Sequence, residues 1–290
     1  MLYQLPDRDI ERFIEEDVPY GDLTTSLLGI GSLKGEITFS TRHSTVLCCT
    51  EEAARVLEQC GATVTCSLAS GSVVKAGITI LTATGPASSL HAGWKVAMNL
   101  LEYASGIATR TRTIVTRARE INPRISVVST RKSFPGTKKI ALKAIMAGGA
   151  LPHRIGLSES ILVFRQHSIF MGGLDSFLET FAELKAKAPE HTIIVEAESA
   201  GEALKIARAG VDVVQIDKLT PDELSIVVKE IRLARPGIII SAAGGINAEN
   251  AAAYAETGVD ILVLSSVYFG KPADIGVTIH PYPGPEELLE

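Results

Sequence analysis

Side chains that could bind an anion are concentrated between residues 129 and 167 of this chain. They are Arg131, Lys132, His153, Arg154 and His167. Apolar runs at residues 125–130 and 161–164 have the length and β-branched content of buried strands. If these strands are parallel neighbours, the side chains that follow them converge. A single Lys or Arg is usually solvated surface, but a converging group of this kind predicts a site for a polyanion.

Polar residues also lie at the ends of four later apolar runs, at residues 193–196, 211–216, 238–242 and 261–264. Glu196 and Asp217 are acids at the ends of two of these runs, and Mg²⁺ is held by one or two carboxylates together with water and phosphate oxygens. An ion pair with a nearby Lys is the alternative for each acid. Glu198 lies two residues after Glu196, and Lys218 directly follows Asp217, so both strand ends carry a further charged residue.

A phosphate site is expected late in the chain. Gly244 and Gly245 precede a helix predicted to begin at Asn247, whose first backbone N–H groups would be free to bind a phosphate. Ser265 and Ser266 follow the last apolar run, the position from which barrels build a phosphate site. Together, a basic pocket, a metal and a terminal phosphate describe a sugar phosphate that carries a pyrophosphate.

The elements that position these residues alternate between apolar strand and amphipathic helix after Pro123, which predicts a parallel sheet covered by helices. Six such units favour a closed or nearly closed α/β barrel, with a doubly wound sheet as the alternative. Residues 1–101 are predicted to form an N-terminal α/β domain (α+β sandwich-like), and the tail at residues 271–290 is predicted to pack onto it. Residues 102–270 are the predicted catalytic barrel. A helical pattern covers residues 91–121, and Gly106 is predicted to break or kink it.

The bulk composition excludes several classes of protein. The 290 residues carry a net charge of −5 with a pI near 5.8, which argues against general nucleic-acid or membrane-surface binding. Four cysteines near the N-terminus form no CxxC motif, which favours reduced thiols of a cytoplasmic protein over zinc or disulfides. The acidic N-terminus is not that of a signal peptide. No apolar run approaches the roughly 20 residues needed to span a bilayer.

Seven segments, in order, resemble the quinolinate phosphoribosyltransferase family, the type II phosphoribosyltransferases. They are EEDVPYGDLTT, NLLEYASGIATRT, STRKSFPGTKK, AGGALPHRIGLS, VEAES, VVQID and AAGGINAEN. The resemblance covers nearly the whole chain. It implies an N-terminal α/β domain followed by an open α/β barrel, the donor 5-phosphoribosyl-1-pyrophosphate, Mg²⁺ as cofactor, and a homodimer whose active sites are shared between subunits.

The resemblance also assigns roles to residues. Arg131, Lys132, His153 and Arg154 would bind the substrate acid and the pyrophosphate, with Phe164 and His167 beside them. Glu196 and Asp217 would serve the metal and the ribose, and with Lys132 they are the predicted catalytic residues. The 5-phosphate site is assigned to Ala243, Gly244, Gly245, Ser265 and Ser266.

Three departures from the family pattern alter the expected pocket. Trp94–Lys95 stands where the family usually reads ER, so Lys95 would be the cation donated by the neighbouring subunit. LVFRQH stands where the family reads LIKDNH, so Phe164 replaces a substrate-binding lysine and Arg165 an aspartate. Lys218 replaces the usual asparagine after Asp217. An aromatic ring in place of a cation favours a flat, less charged ligand over a dicarboxylate.

These departures resemble the pyrophosphorylase branch of the family that is associated with molybdenum transport. The predicted activity is transfer of 5-phosphoribosyl to an aromatic nitrogen heterocycle, with release of pyrophosphate. One alternative is a true quinolinate phosphoribosyltransferase of NAD biosynthesis, and another is a non-catalytic anion-binding protein linked to molybdate uptake. A third alternative makes Lys132 or Lys218 the Schiff-base lysine of an aldolase-type barrel.

Overall fold

The computed structural model describes residues 3–282. The helices are α1 Asp7–Asp17, α2 Leu23–Leu27, α3 Thr50–Gln59, α4 Ala87–Ile121, α5 Lys138–Ala147, α6 Arg165–Ser168, α7 Leu174–Glu179, α8 Phe181–Lys187, α9 Ala200–Ala209, α10 Pro221–Ala234 and α11 Ala251–Glu256, with a 3₁₀ helix at Ile169–Met171. The strands are β1 Lys34–Thr41, β2 Thr45–Val46, β3 Thr63–Ser67, β4 Val73–Val74, β5 Thr79–Pro86, β6 Ser126–Ser129, β7 Leu151–Pro152, β8 Ile161–Val163, β9 Ile193–Ala197, β10 Val213–Asp217, β11 Ile239–Ala243, β12 Ile261–Leu264 and β13 Ile275–Pro281. None of the described helices is both long enough and apolar enough to cross a membrane.

The described residues form two compact units. The first contains residues 3–112, 135–149 and 269–282, and the second contains residues 113–134 and 150–268. Helix α4 therefore contributes to both units, and α5 belongs to the first. The predicted boundary at residue 101 lies within α4.

The first unit is built on an antiparallel sheet of order β13-β1-β5-β3. Strand β1 alternates between buried and partly exposed residues, and Ile37 and Phe39 are fully buried. This alternation is the pattern of a sheet with one face on a core. Strand β13, in the predicted tail, pairs with β1 in the register Phe39 to Val277. Residues 283–290 of that tail lie outside the described residues.

The second unit is a half-barrel of seven parallel strands in the order β7-β6-β12-β11-β10-β9-β8. The order ends at two edge strands, so the sheet is open, and the predicted open barrel is confirmed. Buried apolar side chains pack in the described part of the half-barrel, and two clusters of them bear on the site. One contains Val128, Ala243 and Val263, and the other contains Leu162, Ile194 and Val213 with Phe164 packed against it.

The prediction that Gly106 breaks the helical segment is wrong, because α4 is one helix of 35 residues. A Cβ at Gly106 would lie 2.9 Å from the Cα of Pro272 and 2.9 Å from the backbone nitrogen of Ala273. Gly106 is therefore required by close packing of the chain against the helix. The helix tolerates the glycine because tertiary contacts outweigh its weak helix propensity.

The predicted helix at Asn247 begins four residues later than expected, since α11 starts at Ala251. The side chain of Asn250 accepts a hydrogen bond from the backbone nitrogen of Asn247 at 2.8 Å. Residues 247–250 are therefore held in a turn by their own side chains. The phosphate site predicted from free N–H groups of a helix at Asn247 loses that support.

Candidate active site

The six predicted strands deliver their polar ends to one edge of the half-barrel. The parallel pairings place Ser129 beside Leu264, Val263 beside Ala243, and Ala243 beside Asp217. On the other side of β10, Gln215 is paired with Glu196, and β9 is paired with β8. Because all these strands are parallel, their carboxyl ends meet at the same edge, where barrel enzymes have their active sites.

A cationic cluster lies at the ends of β6 and β7. Arg131 and Lys132 follow β6 and are exposed, whereas Arg154 is only 9% exposed. The backbone nitrogen of His153 donates to the carbonyl of Ser129 at 3.0 Å, which fixes the segment after β7 to the end of β6. Within residues 3–282, no carboxylate forms an ion pair with Arg131, Lys132 or Arg154.

Three members of this cluster act on one another electrostatically. Burial and then the charge of Arg131 lower the pKa of Arg154. Burial and then the charge of Arg154 lower the pKa of His153, so the imidazole is neutral near pH 7. A buried guanidinium without a carboxylate is costly unless an anion compensates it. The cluster is therefore suited to bind a ligand that carries several negative charges.

Two carboxylates lie at the ends of β9 and β10. Glu196 accepts a hydrogen bond from the Nε2 atom of Gln215 at 2.6 Å. Burial is the main reason that the pKa of Glu196 is raised, and the charges of Asp217 and Glu198 raise it further. The carboxylate of Asp217 is 3.0 Å from the Nζ atom of Lys218. The predicted alternative of a lysine ion pair therefore holds for Asp217, whereas Glu196 is hydrogen-bonded to the side-chain amide of Gln215.

A cavity of about 340 Å³ opens at the ends of β8 and β9. Phe164, Arg165, Glu196, Glu198 and Glu202 line it together with apolar and small residues. The ring of Phe164 stacks on that of His167, with centroids 5.7 Å apart and an interplanar angle of 18°. The Nδ1 atom of His167 accepts a hydrogen bond from the backbone nitrogen of Phe164 at 3.0 Å, so His167 has a structural role at the start of α6. This cavity is aromatic and acidic.

Four of the residues assigned to the phosphate site lie together after β11 and β12. Gly244 and Gly245 have φ of 88° and 73° and follow Ala243, which is buried. The Oγ atom of Ser265 is 2.9 Å from that of Thr130. The hydroxyl of Ser266 donates to the carbonyl of Ile246 at 2.7 Å, so Ser266 stabilises the Gly244–Gly245 loop.

The predicted residues are only partly brought together. The cationic cluster and the two carboxylates lie at the same sheet edge, separated by strands β12 and β11. Phe164 and Glu196 share the cavity, but Arg131, His153 and Asp217 are not among its lining residues. Lys95 belongs to the first unit, where it is exposed and its Nζ atom lies 4.5 Å from the ring centroid of Trp94.

The chemistry of the donors fits a magnesium ion, although the described residues contain no group of three or more metal-ligating side chains. Glu196 and Asp217 are two nearby hard oxygen donors, and Asp217 is close enough to raise the pKa of Glu196. Mg²⁺ commonly takes one or two carboxylates and completes its shell with water and substrate phosphates. Two carboxylates at this edge are therefore enough for a metal that arrives with a phosphorylated substrate.

Two residues at this edge were not predicted from the sequence. Gln215 is 4% exposed and holds Glu196, while its Oε1 atom has no partner within the described structure. Thr130 shares a hydrogen bond with Ser265, and its carbonyl accepts from the hydroxyl of Tyr268 at 2.6 Å. Gln215 could have been found, because an amide in the apolar run VDVVQID lies two residues before Asp217 and so on the same face.

Comparison with known proteins identifies the family. The models of the C-terminal and N-terminal domains of quinolinate phosphoribosyl transferase match residues 107–278 and 22–105. A protein of Rhodobacter capsulatus named "Putative pyrophosphorylase ModD" is 43% identical over 251 residues, which cover 87% of this chain and 96% of that protein. A "Probable nicotinate-nucleotide pyrophosphorylase (carboxylating)" of Archaeoglobus fulgidus is 32% identical and covers 70% of this chain and 78% of that protein.

Solved structures agree on the fold. NadC from Streptococcus pyogenes superposes with a TM-score of 0.86 and 23% sequence identity, covering 97% of this chain and all of that one. At this level of identity the likeness shows the fold alone. The two domain models and the ModD relative extend the likeness to sequence over most of the chain. This chain therefore belongs to the quinolinate phosphoribosyl transferase family, whose members are phosphoribosyltransferases.

Proposed function

We propose that this enzyme transfers 5-phosphoribosyl from 5-phosphoribosyl-1-pyrophosphate to the nitrogen of an aromatic heterocyclic acid and releases pyrophosphate. The observation that carries the proposal is the cluster of Arg131, Lys132 and Arg154, which has no carboxylate partner in the described structure. It lies at the same sheet edge as Glu196 and Asp217. A pyrophosphate that leaves a sugar needs such cations, and the sugar carbon needs nearby carboxylates.

The reaction breaks the bond between C1 of the ribose and the pyrophosphate oxygen, and the heterocycle nitrogen supplies the electron pair of the new bond. Charge moves onto the leaving pyrophosphate, where Arg131, Lys132 and Arg154 stabilise it. Positive charge develops at C1, where Glu196 and Asp217 stabilise it. Magnesium, when held by these two carboxylates, would neutralise charge on the pyrophosphate. Positioning and electrostatics supply most of the rate, because no covalent intermediate is needed.

We assign the acceptor to the cavity beside Phe164. A ring in place of a cation, with Glu196, Glu198 and Glu202 around it, disfavours a dicarboxylate and favours a flat ring of lower charge. Because the departures at this site resemble the branch associated with molybdenum transport, pterin acids belong among the candidate acceptors. Pyridine and pyrimidine monoacids are the other two classes.

We also propose a homodimer in which Lys95 of one subunit completes the site of the other, as the family resemblance implies. Lys95 is exposed on α4, and its ammonium lies over the ring of Trp94 in a cation–π contact. This contact fixes the position of the ammonium and leaves it accessible to a partner subunit. We place the enzyme in the cytoplasm, since all four cysteines are free thiols.

The test is release of pyrophosphate from the donor with Mg²⁺, measured across a panel of pyridine, pyrimidine and pterin acids. We expect release with at least one monoacid, and its loss by more than a hundredfold in Arg154→Met and Glu196→Gln. A matched control is Arg208→Met, which removes an exposed cation from α9. Release that is absent across the panel, with no binding of the donor by calorimetry, would contradict the proposal. Tight binding of molybdate without turnover would instead support an anion-binding protein.

A second candidate is carboxylating nicotinate-nucleotide pyrophosphorylase, which is favoured by the similarity to the Archaeoglobus fulgidus protein. In that case quinolinate would be the acceptor, and Phe164 would be tolerated beside it. Formation of nicotinate mononucleotide and carbon dioxide from quinolinate would decide for this candidate. The absence of this product from an enzyme that is active on a monoacid would decide against it.

A further inference from the structure

Lys218 has an unusual backbone at the edge that carries the candidate active site. Its φ is 61°, in the left-handed region that L-residues rarely adopt, and it is one of two such non-glycine residues in the described structure, the other being Cys49. Lysine lacks the short polar side chain that lets asparagine tolerate this region. The Lys218 side chain is 81% exposed, so packing does not explain the choice of residue. Strain of this kind concentrates at functional positions.

The side chain of Lys218 lies against the Gly244–Gly245 loop. A Cβ at Gly244 would be 2.6 Å from the Cγ atom of Lys218 and 2.7 Å from the Oδ1 atom of Asp217. The backbone nitrogen of Lys218 donates to the carbonyl of Ala243 at 2.9 Å, which fixes the residue to the end of β11. The lysine stem therefore rests on the glycine that begins the loop, where a larger residue would clash.

The ammonium group of Lys218 is held by the carboxylate of Asp217, whose side chain is 20% exposed. The Nζ atom of Lys218 is 3.0 Å from the Oδ2 atom of Asp217, the residue just before it. Because the lysine end of this pair is exposed to water, the pair adds little stability. The ammonium can therefore leave Asp217 for a ligand at small cost.

We propose that Lys218 binds the 5-phosphate of the phosphoribosyl donor, leaving Asp217 when the donor arrives. The inference rests on the proposed function and adds a specificity-determining cation to it. The end of β8 carries the uncharged Phe164, and Lys218 supplies a cation two strands away, beside the glycine loop. The ammonium then contacts the phosphate while Asp217 becomes free for the ribose and the metal.

The experiment measures binding of ribose 5-phosphate and of inorganic pyrophosphate to the full chain by calorimetry. The variants are Lys218→Asn and Lys218→Gly, which remove the charge but suit a positive φ, and Lys218→Arg, which retains the charge. We expect the first two to bind ribose 5-phosphate at least tenfold more weakly, since a charge-assisted contact is lost. We expect pyrophosphate affinity to stay within twofold, and the Arg variant to bind ribose 5-phosphate within threefold of the parent.

Two further readouts separate this role from a structural one. The Michaelis constant for the donor should rise in Lys218→Asn by more than kcat falls, and the thermal midpoint should equal or exceed that of the parent because strain is relieved. Lys187→Asn, an exposed lysine at the end of α8, is the matched control and should bind as the parent does.

The outcomes are distinguishable. If the parent binds ribose 5-phosphate and the Asn and Gly variants bind it equally well, the role of Lys218 is overturned and the proposed function stands. Equal losses of affinity for ribose 5-phosphate and for pyrophosphate would also overturn this role, because they would indicate that Lys218 acts only through its general electrostatic attraction for anions. A parent that binds neither ligand nor the complete donor would overturn both proposals.

Discussion

At the scale of single residues, the choice of acceptor depends on Phe164. The side chain is half-buried at the end of β8, packed on the apolar interior and lining the cavity. The three nearby acids, Glu196, Glu198 and Glu202, make the cavity unfavourable for a dianion. Arg165 offsets part of this charge through its ion pair with Glu198 at 3.2 Å. The uncharged ring of Phe164 therefore adds no cation to a cavity whose lining carries a net negative charge.

Phe164→Lys should restore preference for a dicarboxylate. We expect kcat/KM for quinolinate to rise at least tenfold relative to the parent and kcat/KM for the best monoacid to fall, because a charge-assisted hydrogen bond replaces ring stacking. Phe164→Leu is the matched control, since it removes the ring without adding charge. Competition between the two acceptors in one reaction measures the ratio directly. An unchanged ratio in Phe164→Lys would show that the acceptor binds elsewhere.

A second cluster of charges belongs to the elements of the first unit and joins α3 to α5. Lys143 is fully buried, and its Nζ atom is 2.6 Å from Glu52, also fully buried, and 2.9 Å from Glu51. Glu52 also accepts a hydrogen bond from the backbone nitrogen of Leu5 at 3.0 Å. Loss of one partner of a buried pair leaves an uncompensated charge, which costs about 3–5 kcal/mol.

Lys143→Met should therefore lower the free energy of unfolding by about 3–5 kcal/mol, since Glu52 would lose its partner. Urea unfolding at pH 7 measures the loss. Lys139→Met, on the same helix, removes the partly exposed lysine that pairs with Asp9 and should cost less than about 1 kcal/mol. Equal effects of the two substitutions would contradict the account.

The same cluster predicts a pH dependence. Burial alone would raise the pKa of Glu51, but hydrogen bonds from Ser70 and Lys143 outweigh burial and lower the pKa from 4.5 to about 2. Because the folded pKa is depressed, this stabilisation is present above pH 4.5 and is lost as pH falls toward 2. Glu51→Gln should flatten the slope of unfolding free energy against pH in that window. An unchanged slope would show that other carboxylates account for acid unfolding.

At the scale of elements, α4 depends on the absence of a side chain at Gly106. Gly106→Ala should destabilise the protein by about 1–3 kcal/mol despite the better helix propensity of alanine, because the new Cβ would clash with Pro272 and Ala273. Gly201→Ala in α9 is the matched control, since a Cβ there meets no atom within 4 Å. It should stabilise by about 0.5–1 kcal/mol. Thermal and urea unfolding of both variants test the sign.

The strands of the half-barrel can be predicted well from the sequence, because a parallel strand buried on both faces is a short apolar run with a polar end. Strand β7 was missed because its two residues, Leu151 and Pro152, give no periodicity. The break predicted at Gly106 failed because packing against the backbone of residues 271–273 requires a glycine within one continuous helix. The helix predicted at Asn247 failed because the side chain of Asn250 accepts a hydrogen bond from the backbone of Asn247 and holds a turn there. The cationic cluster followed from spacing, and the same reasoning would have found Gln215, which lies two residues before Asp217 and so on the same face.

At the scale of the whole molecule, the proposed shared site makes a prediction about mixed subunits. Lys95→Ala and Lys132→Ala should each reduce pyrophosphate release by more than tenfold. A mixture that exchanges subunits should recover about one quarter of parent activity, because half of the dimers are mixed and one of their two sites is intact. Mixing either variant with itself is the control. No recovery after proven exchange would contradict a site shared through Lys95.

The strand order has a consequence for synthesis of the chain. Strand β12, near the end of the sequence, lies between β6 and β11 and joins the two parts of the half-barrel. Until residue 264 leaves the ribosome, β6 and β11 each present an unpaired edge, and the antiparallel sheet likewise waits for β13 beside β1. Nascent chains arrested near residue 260 should therefore recruit chaperones and aggregate, whereas release of the last thirty residues completes both sheets.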